Sequence, residues 1–141
     1  MKSLDPVSSI MSSLLVKLNP EDQIAKAEEL FKKHHIRHIP VVKANEVVGI
    51  ISTSDLQKIT FVDDFDSSNP TSQGILYNQY TVQQVMTRQV VTVLPWTPIK
   101  EVAQILSDCN FHALPVVQNQ VIVGIVSATD LLKYFISQYK D

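Results

Sequence analysis

Apolar positions along the chain fall into two kinds of run. Ile24, Ala27 and Leu30/Phe31 recur every three to four residues, as do Ile99, Val102, Ile105/Leu106 and Cys109. That period predicts amphipathic helices with one buried stripe. Asp22 and Thr97 stand as their N-caps, with Pro98 at the first helical position. The other runs are short and rich in β-branched residues: Leu14–Leu18, His38–Val42 and Val47–Ile51, then Val90–Leu94, Ala113–Val117 and Val121–Val126. These read as strands, with turns at Ala44–Asn45 and Asn119–Gln120. Further helices start at Ser52–Asp55 and Ser127–Asp130. The order is β-α-β-β-α, twice.

The doubling goes deeper than element order. Setting Met11 against Met86 keeps the halves in step without a gap, through Ile59 and Tyr134. Identical pairs include Pro20/Pro95, Ile24/Ile99, Pro40/Pro115, Gly49/Gly124, Ser52/Ser127, Asp55/Asp130 and Leu56/Leu131. The chain has 3 glycines, two of them at one repeat position, and four of its 7 prolines pair likewise. Glycine and proline restrict backbone geometry, so the halves should share one local fold. A half alone buries too little apolar surface to be stable, so the two should pack together with pseudo-two-fold symmetry. The fold class expected is α/β (α+β), with repeats at 1–60 and 81–141. Between them, 61–80 carries Asp63, Asp64, Asp66, Asn69, Pro70 and Gly74, which is linker chemistry. Ile75, Leu76, Tyr77 and Tyr80 are more apolar than a free tether needs, so that segment should dock.

Composition narrows the function classes. With 45% hydrophobic and 18% charged residues the 141-residue chain is globular. A formal charge of -2 gives no broad attraction to nucleic acid or to an anionic membrane. No apolar run reaches the length of a membrane span or a signal peptide, and the single cysteine excludes an internal disulfide framework. The chain reads as soluble and cytoplasmic. No nucleophile–base frame, phosphate loop or dinucleotide fingerprint is present, so enzyme activity is not expected.

The chemistry concentrates in Ser52-Thr53-Ser54-Asp55 and Ser127-Ala128-Thr129-Asp130. A strand ends there, a helix begins, and hydroxyls occupy the first turn. Free N–H groups and the helix dipole suit an anion or a sugar phosphate, and the Asp could accept from both hydroxyls of a ribose. The same residues also make a capping box, which needs no ligand. Both readings stay open on spacing alone.

With "IMSSLLVKLNP" and "VMTRQVVTVLP", "RHIPVV" and "HALPVV", and the two Gly-x-x-Ser-x-x-Asp segments, the chain resembles tandem cystathionine-β-synthase (CBS) domains, the paired Bateman module. The resemblance spans Met11 to about Phe135. It implies a regulatory module, without a required cofactor, that binds an adenosine-containing ligand (AMP, ADP, ATP or S-adenosylmethionine) in two clefts between the repeats. By that resemblance Asp55 and Asp130 hold the ribose, while Ser52, Ser54, Ser127 and Thr129 serve ribose or phosphate. Ser12 and Val16 line the base with Asp130, and Thr87 and Val91 do so with Asp55. Ile36, Arg37 and His38 line one cleft, Phe111 and His112 the other. Where the first copy has Arg37-His38 the second has His112-Ala113, so the two sites should bind unequally. A homodimer and an unidentified effector protein are the implied partners. The rival reading is a ligand-free dimerisation scaffold.

Three further features read as structural. His34 and His38 lack a nearby carboxylate or thiolate ligand set, so no metal site is expected. Cys109, on an apolar helix face, reads as a buried inert thiol. Trp96, before a helix and open to partial exposure, reads first as packing, with a dimer contact or base stacking as the alternatives.

Overall fold

The computed structural model describes residues 5–13, 16–64 and 80–139. Strand β1 (His38–Lys43) turns through Ala44 and Asn45, both with positive φ (51° and 68°), into β2 (Glu46–Ser52). Asn119 and Gln120, at 53° and 67°, make the same turn between β3 (Ala113–Gln118) and β4 (Val121–Ser127). Two successive left-handed residues give a reverse turn whose twist matches that of antiparallel strands. The registers agree: Lys43 faces Glu46, Gln118 faces Val121, and one residue, Val48 or Val123, bulges out of each ladder. The chain is therefore a mixed helix-and-strand fold with two small antiparallel sheets.

Each hairpin is followed by a helix, α2 (Thr53–Asp64) or α5 (Ala128–Gln138), and preceded by one, α1 (Ile24–His34) or α4 (Ile99–Asp108). A short helix α3 (Val82–Val85) lies between α2 and α4 in the chain. The buried stripes fall where the period puts them: Ile24, Ala27 and Phe31 in α1; Ile99, Val102 and Leu106 in α4. The first ends at His35 in the left-handed region, φ 54°.

Three sequence expectations need correcting. Val90–Leu94 and the described part of Leu14–Leu18 are not strands; each makes one parallel bridge, Leu18 to Val41 and Val93 to Val116. Prolines explain it. One rung back, the ladder needs an N–H from Pro40 or Pro115; one rung forward, from Pro20 or Pro95, and proline has none. Asp22 and Thr97 do not cap α1 and α4, whose N-caps are Gln23 and Pro98. Their oxygens accept instead from Asn19 N–H (2.8 Å) and Leu94 N–H (2.9 Å), closing the turns before the helices. The first helical N–H groups find backbone carbonyls: Ile24 donates to Tyr80 at 3.3 Å and Ile99 to Asp5 at 2.8 Å. Finally, α2 runs to Asp64, into the stretch read as linker, because no glycine or proline interrupts it before Pro70. Asp63 and Asp64 end that helix; Asp66, Pro70, Gly74, Ile75, Leu76 and Tyr77 lie outside the described residues.

Two compact units emerge, Val16–Gln89 and Met1–Leu15 with Val90–Asp141. In the α1–α2 unit the core gathers Leu18, Ile24, Phe31, Ile39, Ile51 and Val82. In the α4–α5 unit it gathers Val7, Ile99, Val102, Leu114, Val126 and Tyr134. Val7 and Val82 are both fully buried, so the chain's opening segment is core to the second hairpin's unit, and the segment after Tyr80 to the first's.

Candidate functional site

The end of β2 and the start of α2 are tied into one structure. Asp55 Oδ2 accepts from Ser52 N–H at 2.8 Å and from Ser52 Oγ at 3.0 Å, while Asp55 N–H donates back to Ser52 Oγ at 3.2 Å. The Ser52 and Ser54 hydroxyls stand 2.8 Å apart. Arg37 brings its carbonyl to Thr53 N–H at 3.0 Å, and His38 faces Ser52 across the hairpin. Thr87 exchanges both backbone hydrogen bonds with Ile50, at 2.9 and 3.0 Å, two residues before Ser52. One unit thus gathers Thr87, Arg37, His38, Ser52, Ser54 and Asp55. Ile36 borders them, half-buried beside Arg37.

The α4–α5 unit repeats the arrangement with other residues. Asp130 Oδ2 accepts from Ser127 N–H (2.9 Å) and Oγ (3.1 Å), and Asp130 N–H reaches Ser127 Oγ at 3.2 Å. The His112 carbonyl receives Ala128 N–H at 2.9 Å, after half-buried Phe111, and Ser12 pairs with Ile125 through bonds of 2.9 and 3.0 Å. Ser12, His112 and Thr129 are exposed. Val16 falls in the unit of Asp55 and Val91 in that of Asp130.

Both capping boxes are therefore complete, and in both Ser N–H and Ser Oγ donate to the Asp through Oδ2. Asp55 Oδ1 has Lys58 Nζ at 4.0 Å; Lys58 and Lys133 occupy one repeat position but fall outside the Gly-x-x-Ser-x-x-Asp frame. Asp55 is almost buried, at 8% exposure, and Asp130 is half-buried. The charge differs too: exposed Arg37 in one unit stands where exposed His112 stands in the other.

Two methionines outside the expected site residues also border the sites. An ideal Cβ on Gly49 would collide with Met86 Sδ, and one on Gly124 would come 2.5 Å from Met11 Sδ. The repeated glycines thus admit the repeated methionines, one residue before Thr87 and Ser12. The signal in the sequence was the pairing of Met11 with Met86 alongside Gly49 with Gly124.

A family model for the CBS domain matches the chain twice, over residues 7–60 and 82–137. The chain belongs to the CBS domain family. It is a tandem CBS pair, similar in structure to the CBS domain pair of protein MJ0100 in complex with 5′-methylthioadenosine and S-adenosyl-L-methionine. The two superpose with a TM-score of 0.79 at 28% identity, covering 96% of this chain and 99% of that one. Among curated relatives, L-aspartate semialdehyde sulfurtransferase of Methanocaldococcus jannaschii is 29% identical over 92% of this chain, which spans only 23% of that protein. The CBS domain-containing protein YhcV of Bacillus subtilis is 25% identical, with 91% of this chain and 84% of that one covered. Among the described residues no helix is long and apolar enough to cross a membrane, and no three His, Cys, Asp or Glu side chains gather as a metal site would require.

Proposed function

We propose that this CBS pair is a regulatory, non-enzymatic cytoplasmic module that binds an adenosine-containing ligand, AMP, ADP, ATP or S-adenosylmethionine, at the Ser52–Asp55 and Ser127–Asp130 turns. The observation carrying the proposal is the division of labour within each carboxylate. Oδ2 caps the helix, while Oδ1, which in Asp55 faces the exposed Lys58 ammonium at 4.0 Å, is the oxygen offered to a ribose hydroxyl, so cap and ligand contact coexist on one side chain. The adenosine ligands on the MJ0100 pair support the ligand class. Arg37, a forked and permanently charged guanidinium, makes the Asp55 turn the better phosphate site; exposed His112 makes the Asp130 turn the weaker one.

Signalling follows by linkage: a ligand that favours one arrangement of the pair raises its population, and an effector protein reads that arrangement. α5 supports self-association, since Leu132 and Ile136, one turn apart on it, are 62% and 71% exposed, and Tyr139, its C-cap, is 79% exposed. A second copy of the chain is the occupant proposed for that surface. Ile136→Glu should then convert a dimer to a monomer in sedimentation; a wild-type monomer would end that part of the reading.

Thermal unfolding against AMP, ADP, ATP and S-adenosylmethionine, with GTP as control, tests the ligand proposal. At a hundred times its Kd one bound ligand adds about 2.7 kcal/mol. A shift of several degrees selective for adenosine ligands is expected. No shift with any at millimolar concentration leaves the ligand-free scaffold as the function.

A further inference from the structure

We infer that Met11 and Met86 are positioning residues: each rests its thioether on a glycine of the adjoining hairpin and so sets where Ser12 or Thr87 stands beside its Ser/Asp cap. The inference rests on the proposed ligand sites and names what aligns them. At Gly124 the three atoms nearest an added Cβ are all Met11's, Sδ at 2.5 Å, Cγ at 3.0 Å and Cε at 3.1 Å. At Gly49 it would meet Met86 Sδ, then Met86 Cγ at 2.9 Å. The sulfur therefore lies against strand backbone, in space that any other residue's side chain would fill.

What the methionine anchors is otherwise lightly held. Ser12 and Thr87 each join their hairpin by an isolated bridge of two hydrogen bonds. Such bonds contribute roughly 1 kcal/mol each and leave the bridge free to open. The neighbouring thioether adds apolar burial, Met11 against the α4–α5 core and Met86 against the α1–α2 core. Along each hairpin the order is the same: glycine under methionine, then the bridge residue (Ile50 or Ile125), then, two residues on, the capping serine. A shift of the methionine moves the bridge, and with it Ser12 or Thr87, whose bridge partner lies two residues before the capping serine. Methionine suits the task because an unbranched chain reaches over a glycine without a β-methyl to hold it off.

The full chain contains 3 methionines, Met1, Met11 and Met86, so methyl-13C methionine labelling gives one reporter per site. On titration with AMP or S-adenosylmethionine, the Met86 methyl resonance should move with occupancy and lose its response in Asp55→Asn. The Met11 methyl should do so in Asp130→Asn. Met86→Ala should speed amide exchange at Ile50 and Thr87 while Ser12 and Ile125 keep wild-type rates, with Met11→Ala giving the converse; the untouched unit reports that the chain is folded. Ligand affinity at the affected site should fall about tenfold, as a contact once pre-aligned must be ordered on binding, and Met86→Leu should restore most of it. Wild-type affinity in both alanine variants, or unchanged exchange at the bridges, overturns the inference. Absence of any ligand response in the wild type sinks the proposed function instead, and the exchange rates still decide what the methionines do.

Discussion

Alanine at Gly49 and at Gly124 should behave differently, although the two glycines occupy one repeat position. Neither has a positive φ, so the substitution meets steric resistance alone. At Gly124 the three nearest obstacles all belong to the Met11 side chain, the flexible end of which can turn aside. At Gly49 Met86 has the same freedom, but the Thr87 carbonyl also stands 2.9 Å from the new carbon. That carbonyl accepts from Ile50 N–H at 3.0 Å, so it retreats only by giving up the bridge.

Overpacking of this kind costs about 1–3 kcal/mol, and alanine returns about 0.4–1 kcal/mol by restricting the unfolded chain. Gly49→Ala should lose about 2 kcal/mol and Gly124→Ala less than about 1 kcal/mol, the difference being the Thr87 carbonyl and the bridge it must give up. In a chain of this length about 1 kcal/mol corresponds to roughly 3 °C in Tm, so drops of about 6 °C and under about 3 °C are expected. Urea unfolding followed by circular dichroism gives the free energies. Met11→Ala should suppress most of the Gly124→Ala loss, whereas Met86→Ala should suppress the Gly49→Ala loss only in part. Equal losses at the two glycines, or full suppression at Gly49, would refute the assignment of the backbone carbonyl as the deciding obstacle.

Other outcomes follow from single contacts. Asp55→Ala and Asp130→Ala should each cost about 1 kcal/mol through the lost cap, with or without nucleotide; loss of nucleotide-dependent stabilisation on top of that, seen in thermal shifts, marks the ribose contact. Gln120→Gly should raise stability by about 0.5 kcal/mol in urea unfolding, since Gln120 holds φ 67° where glycine sits without strain. The Tyr134 hydroxyl donates to Asp5 Oδ2 at 2.8 Å, and that hydrogen bond, followed by burial, raises its pKa. With the folded pKa above the unfolded value of about 10, the stabilisation is full below that pH and is lost as pH rises through the folded pKa. Alkaline unfolding should accordingly be steeper in the wild type than in Tyr134→Phe. Val7→Ala should cost about 1–3 kcal/mol and loosen amide exchange in α4, β3, β4 and α5, with Val82→Ala loosening α1, β1 and β2 instead.

Much of each unit is legible from spacing. The buried stripes of α1 and α4, the hairpin turns at Ala44–Asn45 and Asn119–Gln120, and the Ser–Asp caps follow from local pattern and turn chemistry, which act within a few residues. Legibility fails where a distant backbone supplies the partner. Asp22 and Thr97 look like caps because the chain near α1 and α4 offers no better one; the carbonyls of Tyr80 and Asp5 do the work, and nothing local announces them. The short bridges at Leu18 and Val93 were legible in principle, since Pro20, Pro40, Pro95 and Pro115 strip the ladder of the donors it needs. Lys58 beside Asp55 was equally visible as a repeated lysine, but a lone lysine one turn beyond a cap reads as a solvated side chain.

Self-similarity hides one thing more. Val7 matches Val82 and Met11 matches Met86, so no propensity or pattern tells which hairpin receives which opening segment. The structure gives Met11 and Ser12 to the hairpin of Asp130, and Met86 and Thr87 to that of Asp55. Tyr134 and Asp5 break the degeneracy, because their repeat partners, Ile59 and Tyr80, cannot make that hydrogen bond. Each candidate site therefore takes its cap from one sequence repeat and its strap from the other. A single repeat folding by itself would own a cap without the strap that faces it, so the Gly-x-x-Ser-x-x-Asp frame serves a complete site only when the chain carries it twice.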